Sequence, residues 1–257
     1  MTSKHSTPRV AARARTRALL LRLGFLSAVV CAALAAALTP EHAPASETPT
    51  VARTQELAVV VRGQTAMTSP ANGAARRAWV ERLRPITEGR TVLPVIGHRT
   101  SRDGTRWLQI RLPGRPNNST GWIRKARTMR SATAWHLVVD LSERRLSVYR
   151  HGRLVRGFSA VVGSPATPTP LGRHFVEENV LLGPGDVGAP FALAMSARSH
   201  VLQRFAGGPG QIAVHGVRNV GGTMGTAASH GCVRLDTASI TWLGERIGPG
   251  VPVTISS

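Results

Sequence analysis

Residues 135–149 read WHLVVDLSERRLSVY, and this stretch decides the fold class. Trp135 to Leu141 and Arg145 to Tyr149 are rich in β-branched, aromatic and other apolar residues, and Ser142-Glu143-Arg144 between them suits a tight turn. The stretch therefore predicts a β-hairpin. Working outward toward the C-terminus, Leu154 to Val162 continues the strand pattern. Further strands are predicted at Phe175 to Leu182, Phe191 to Met195, Gln211 to His215 and Val251 to Ile255. Only Thr237 to Ile247 (TASITWLGERI) reads as a helix, with Asp236 as its N-cap and Gly248 as its C-terminal stop. The region from about Ala134 is thus expected to be mostly β with one late helix.

Toward the N-terminus, short β-like runs recur at Leu57 to Val61, Val92 to Ile96, Trp107 to Leu112 and Trp122-Ile123. Turn clusters such as Ser69-Pro70-Ala71-Asn72-Gly73, Asp103-Gly104 and Pro116-Asn117-Asn118 separate them. Several short strands over residues 56–130 describe a small barrel, although Arg76 to Pro85 fits helix better than strand. The strands around Trp107 and Gly121-Trp122-Ile123 resemble bacterial Src-homology-type barrels. Residues 46–55, broken by Pro49 and rich in Ser and Thr, read as a linker. Before them, six basic residues from Lys4 to Arg22 precede the uncharged run Leu23 to Leu38, and Thr39-Pro40-Glu41 stops any helix. Residues 1–45 therefore read as an export signal cleaved near Ala43-Pro44-Ala45, or as a single retained N-terminal membrane anchor. Either way the remainder is expected outside the membrane, in the cell wall or envelope.

Composition bounds the chemistry. The 257 residues are 42% apolar, enough for a core, which excludes a chain disordered as a whole. The formal charge is +20, and residues 55–130 hold fifteen basic against four acidic residues. A polyanionic neighbour follows. Nucleic acid is one candidate, but no recognition-helix, zinc-finger or ribonucleoprotein pattern accompanies the arginines, and an export segment argues against it. An anionic envelope polymer explains the charge equally well. Only Cys31 and Cys232 occur, and Cys31 lies in the apolar N-terminal run. A disulfide scaffold and a multi-cysteine metal site are both excluded.

The motif that carries chemistry is Ser229-His230-Gly231-Cys232-Val233-Arg234-Leu235, downstream of Ile212-Ala213-Val214-His215-Gly216. A thiol attacks a carbonyl as its thiolate and needs a base beside it. Cys232 is therefore the candidate nucleophile and His215, at the end of a strand, the candidate base. Gly231 would let the backbone approach a substrate, with nearby amides as an oxyanion hole, and Arg234 is a candidate carboxylate or loop clamp. His230 reads equally as a substrate contact. A lone cysteine is most often a small buried hydrophobe, yet a buried cysteine does not need glycine and imidazole beside it. Zinc on His215, His230 and Cys232 lacks a fourth ligand and an acid/base glutamate, so no metal or other cofactor is expected. His98, His136, His151, His174 and His200 read as surface or structural.

These residues resemble the L,D-transpeptidase catalytic domain family, also called YkuD-like. His215-Gly216 followed by Ser229-His230-Gly231-Cys232-Val233-Arg234 is similar to the family signature. Val162-Gly163 and Thr169-Pro170-Leu171-Gly172-Arg173-His174-Phe175 look like the block that precedes it, and the resemblance spans about residues 134–256. It implies a β-sandwich-like fold and a two-step acyl transfer on peptidoglycan stem peptides. Cys232 would attack, His215 would act as base and then acid, and the Gly216 carbonyl would orient His215. Ser229, His230, Gly231 and Arg234 would line the site. Three alternatives stay open: an L,D-carboxypeptidase, another wall cysteine peptidase, and a catalytically silent envelope-binding protein. Wall peptidases of the NlpC type place cysteine before histidine, the reverse of the order here.

Overall fold

A computed structural model describes residues 51–205 and 207–257, which belong to one compact unit. The sequence readings on residues 1–45 and on Cys31 lie outside the described residues. Seven strands come first: β1 (Gln55–Val60), β2 (Gln64–Met67), β3 (Arg76–Val80), β4 (Val92–Thr100), β5 (Arg106–Arg111), β6 (Thr120–Arg124) and β7 (Thr128–Thr133). They pair antiparallel in the order β3-β2-β6-β5-β4-β1-β7 and curl into a nearly closed barrel. Its core holds Val60, Leu93, Ile110 and Ile123, all with no exposed surface. Burying each such side chain contributes roughly 1.5–3 kcal/mol.

One expectation fails here. Arg76 to Pro85 is not helical: β3 pairs with β2, Gln64 opposite Val80 and Ala66 opposite Ala78. The next residues turn back through hydrogen bonds from the Thr91 amide to the Arg82 carbonyl (2.9 Å) and from Arg84 to Gly89 (2.8 Å). The local preference of Ala, Arg and Glu for helix is outweighed by cross-strand pairing that buries Val80 and half-buries Ala78. The strands β2 and β7 were invisible in the sequence. Their segments, QTAM and TMRSAT, are short and polar, and β7 lies at the edge with its middle residues exposed.

The second sheet is built from β8 (Trp135–Asp140), β9 (Arg145–Arg150), β10 (Arg153–Ser159), β12 (Gly172–Leu181), β13 (Phe191–Arg198), β14 (Gln211–Gly216), β16 (Val233–Leu235) and β17 (Pro252–Ser256). Their order is β10-β9-β8-β17-β12-β13-β14-β16, and a short parallel pair joins β11 (Val162–Gly163) to β15 (Ala227–Ser229). The 135–149 hairpin forms as expected, and it pairs Trp135 opposite Arg150 and Asp140 opposite Arg145. The run Leu154 to Val162 is two elements rather than one. It leaves β9 after Ser159, and Val161 then bridges Arg234.

Helix α1 (Thr237–Gly244) packs Ile240 and Leu243 into the sheet core. Asp236 caps it, accepting from the Ser239 amide at 2.9 Å. The helix ends before Ile247 and Gly248 is not its stop. Asn179 donates to the carbonyls of Gly244 (2.6 Å) and Ile247 (2.9 Å), satisfying the helix end from a neighbouring strand.

Strand β12 serves both cores. Phe175 packs in the barrel core and Val176 in the sheet core, because successive side chains point to opposite faces. A register shift between Val176 and Glu178 against β13 follows, and both Glu177 and Glu178 are buried there. Glu178 accepts from the Thr87 amide and hydroxyl, both at 2.8 Å. Glu177 accepts from Arg198 at 2.9 Å and Gln211 at 3.2 Å. Arg84, from the barrel, pairs with Glu177. A buried charge network therefore fastens the barrel to the sheet that carries the site.

Candidate active site

Strands β14 and β16 run parallel, with Val214 opposite Val233 and His215 opposite Arg234. Ile212 and Val214 are buried while Ala213 and His215 are half-buried. The two-residue period puts Ala213, His215, Cys232 and Arg234 on one face of this pair, and Ile212, Val214, Val233 and Leu235 on the core side.

His215 Nδ1 lies 2.8 Å from the Gly216 carbonyl oxygen. A carbonyl can only accept, so Nδ1 holds the proton and Nε2 keeps its lone pair. Burial lowers the imidazole below its ordinary 6.5, opposed by the Gly216 hydrogen bond and aided by the Arg234 charge. Burial raises the half-buried Cys232 thiol above its ordinary 9.0, opposed by Ala213 and Arg234. The substrate-free pair is a neutral thiol and a neutral imidazole. Among the described residues no hydrogen bond joins the two, a looseness common before substrate arrives.

The remaining motif residues divide by what they touch. Ser229 is buried, and its hydroxyl donates to the Cys232 carbonyl at 2.6 Å and accepts from the Gly231 amide at 3.1 Å. It holds the turn, and it occupies the Gly231 amide that was one candidate for the oxyanion hole. Gly231 has φ +113, a conformation side chains rarely adopt, and a Cβ there would meet Ile212 at 3.0 Å. The loop after β11 lies beneath: the Thr167 hydroxyl donates to the Ser229 carbonyl at 3.0 Å, and the Gly163 amide to the Thr169 hydroxyl at 2.9 Å. The two sequence blocks are thus in contact. His230 is exposed, its ring 5.4 Å from that of Phe205. Arg234 is buried, with Nη1 donating to the Gly221 carbonyl at 3.2 Å and Nε without a partner among the described residues.

Sequence reasoning missed Gly188. It has φ +85, and a Cβ there would stand 2.5 Å from His215 Nδ1. Its carbonyl also accepts from the Gly216 amide at 2.7 Å. No local pattern marks it, since a glycine in a loop reads simply as a turn. Among the described residues no three His, Cys, Asp or Glu side chains cluster to hold a metal ion.

A profile of the YkuD family, described as the L,D-transpeptidase catalytic domain, matches residues 134–255. Those residues belong to the L,D-transpeptidase catalytic domain family. Beyond that domain, the chain is similar to L,D-transpeptidase 1 of Mycobacterium tuberculosis, 26% identical over 218 residues. The match covers 74% of this chain and 84% of the relative. It is also similar to a putative L,D-transpeptidase YkuD of Bacillus licheniformis, 28% identical, covering 48% of this chain and 66% of the relative. Among solved structures, an L,D-transpeptidase from Mycobacterium smegmatis aligns over 78% of this chain and 99% of its own, at 16% identity and a TM-score of 0.39. The chain spans 49% of an Enterococcus faecium L,D-transpeptidase structure, covering 48% of its own length at 22% identity and a TM-score of 0.35. Within the L,D-transpeptidase domain, the whole cysteine face lies on the strands β14 and β16 and the turn between β15 and β16.

Proposed function

We propose that the chain is a peptidoglycan L,D-transpeptidase with Cys232 as nucleophile and His215 as general base. The observation that carries the reading is the His215 tautomer, fixed by Gly216, on the face that Cys232 shares within the matched domain. His215 Nε2 takes the thiol proton as Sγ bonds to the carbonyl carbon of a stem tetrapeptide. The amide bond then breaks, the terminal D-alanine amine leaves with that proton, and a thioester remains. An acceptor amine attacks the thioester, gives its proton to His215, and the thiol is restored. Water in place of the amine yields the tripeptide. The Cys232 amide is the proposed oxyanion donor, because Ser229 holds that of Gly231. Arg234 sets the field at both reacting groups, while Ser229 and Gly231 position the turn and His230 forms the rim.

Such a substrate is extracytoplasmic, which supports reading residues 1–45 as an export signal or anchor. The barrel suits an anionic wall polymer. Arg76, Arg124 and Arg127 line one groove with Trp107, and Arg99, Arg106 and Lys125 line an adjoining groove that shares it.

The test is intact-protein mass spectrometry of the chain with a diaminopimelate tetrapeptide and, separately, a carbapenem. The expected result is an adduct on each, absent from Cys232→Ala, with D-alanine released and a cross-linked product formed. Tripeptide alone would make the protein a carboxypeptidase, and no adduct from either compound would favour the binding-protein reading. Alkylation of the resting thiol does not discriminate these, because burial alone raises its pKa.

A further inference from the structure

Where the barrel meets the eight-stranded sheet, away from the cysteine face, a cleft of about 360 Å³ is lined by Arg111, His136, Arg173, His174 and Thr254. Strands β8, β17 and β12 are neighbours in the sheet, and the barrel supplies Arg111 from β5. Arg173 is opposite Thr254 in register, and His136 Nε2 lies 2.9 Å from the Thr254 hydroxyl. Arg111 Nη1 reaches toward the Arg173 carbonyl at 3.5 Å, which brings the barrel arginine against the strand backbone that carries Arg173.

No carboxylate lines this cleft, and neither Arg111 nor Arg173 forms an ion pair among the described residues. The nearby Glu56 is committed elsewhere, to His98 at 3.1 Å and Arg130 at 3.4 Å. Burial lowers the Arg111 pKa, and the Arg173 charge lowers it further, so two like charges share a partly desolvated wall. The imidazoles do not add to the charge. Burial, then the Arg173 field, lowers His136 to about 4, and burial also lowers His174. With His136 Nε2 on the Thr254 hydroxyl and buried His174 Nε2 3.3 Å from the Leu171 carbonyl, they form a neutral wall beside the two guanidinium forks.

We propose that this cleft is a binding site for a phosphate oxyanion, held between the Arg111 and Arg173 guanidiniums. Phosphate matches paired forks because each guanidinium can donate two parallel hydrogen bonds to separate oxygens, and its charge offsets both cations at once. The phosphate can come from a phosphodiester polymer or from the free ion, and the cleft can take either. The site uses neither Cys232 nor turnover, so it stands or falls apart from the transpeptidase reading. An anion seated there would bridge barrel and sheet and stabilise their junction by mass action.

The test titrates the intact chain with sodium phosphate, a short poly(glycerol phosphate) and sodium acetate, each against sodium chloride at matched ionic strength. Binding heat and melting temperature are read together. The expected result is that a phosphate probe binds and raises the melting temperature beyond chloride. Arg111→Gln/Arg173→Gln should weaken that binding at least about tenfold, while Arg144→Gln/Arg153→Gln, at two exposed arginines that line neither this cleft nor the barrel grooves, should leave it intact. Tighter binding of the polymer identifies a phosphodiester, and tighter binding of inorganic phosphate identifies the free ion. If the double variant does not fold, Arg173→Gln alone carries the comparison, since that side chain is exposed. Absence of phosphate binding, binding that survives loss of the arginines, or acetate binding as tightly as phosphate would each overturn the proposal.

Discussion

A missing side chain at residue 188 is what lets the His215 imidazole stand where it does. With φ at +85 and the ring 2.5 Å from where a Cβ would lie, Gly188→Ala must push His215 aside or move its own loop. A misplaced base costs far more in rate than the substitution costs in folding. The expectation is a fall in kcat/KM of about 100-fold with a backbone penalty of about 1–2 kcal/mol. D-alanine release and a thermal melt, measured on the same preparation, check it, and an unchanged rate would mean that the loop at residue 188 yields in place of the His215 ring. The pH dependence belongs to the same residue. The proposed base His215 works only when unprotonated, so activity should fall as pH drops through its pKa, which burial holds below 6.5. The acid limb of kcat/KM should therefore lie below 6.5, and a limb above that value would contradict the neutral resting pair. Cys232, His215, Gly216, Ser229, Gly231 and Arg234 could all be located from two short motifs, because glycine and imidazole beside a lone thiol are chemically unusual. Gly188 could not, because its reason for being glycine lies across space.

At the scale of elements, the strands with apolar alternation were legible and the polar ones were not. Trp135–Asp140 and Gln211–Gly216 carry their burial pattern in their sequence, whereas Thr128–Thr133 has almost no buried face to announce it. Arg76–Val80 misled because its residues favour helix locally and only its partner β2 makes it a strand. Glu177 and Glu178 were equally silent, since two adjacent carboxylates in a strand read as surface charge. Both are buried, and the Arg84 side chain that meets them is only 14% exposed, from a loop of the barrel distant in sequence. Removing one partner of such a network leaves buried charge uncompensated, which costs about 3–5 kcal/mol. Arg84→Ala should therefore destabilise the chain by that order in urea unfolding, while Arg102→Ala on the exposed barrel rim should change it little. Equal effects of the two substitutions would mean that solvent reaches the glutamates and the network is not a fastening.

For the whole molecule, the decisive feature is that β12 builds two cores, Phe175 entering one and Val176 the other. Barrel and sheet are therefore linked by a continuous strand as well as by charge, and loss of either should propagate. That coupling gives the stability of the molecule a definite response to acid. His136, His174 and His215 all have pKa values lowered by burial, so the folded chain refuses protons that the unfolded chain accepts. Wherever the unfolded state binds more protons, stability rises with pH. For His136 the window runs from its unfolded 6.5 down to about 4: its contribution is complete above the upper value, declines as pH falls through the interval, and is gone below the lower one. Melting temperature should thus be level above pH 6.5 and drop steadily toward pH 4, with His136→Gln showing a shallower slope over the same range. The Thr254 hydroxyl can bond to a glutamine amide in place of the imidazole, so that variant keeps a polar partner while removing the titration. A profile for His136→Gln that overlays the unsubstituted chain would mean that the imidazole is solvated and takes up its proton freely in the folded state.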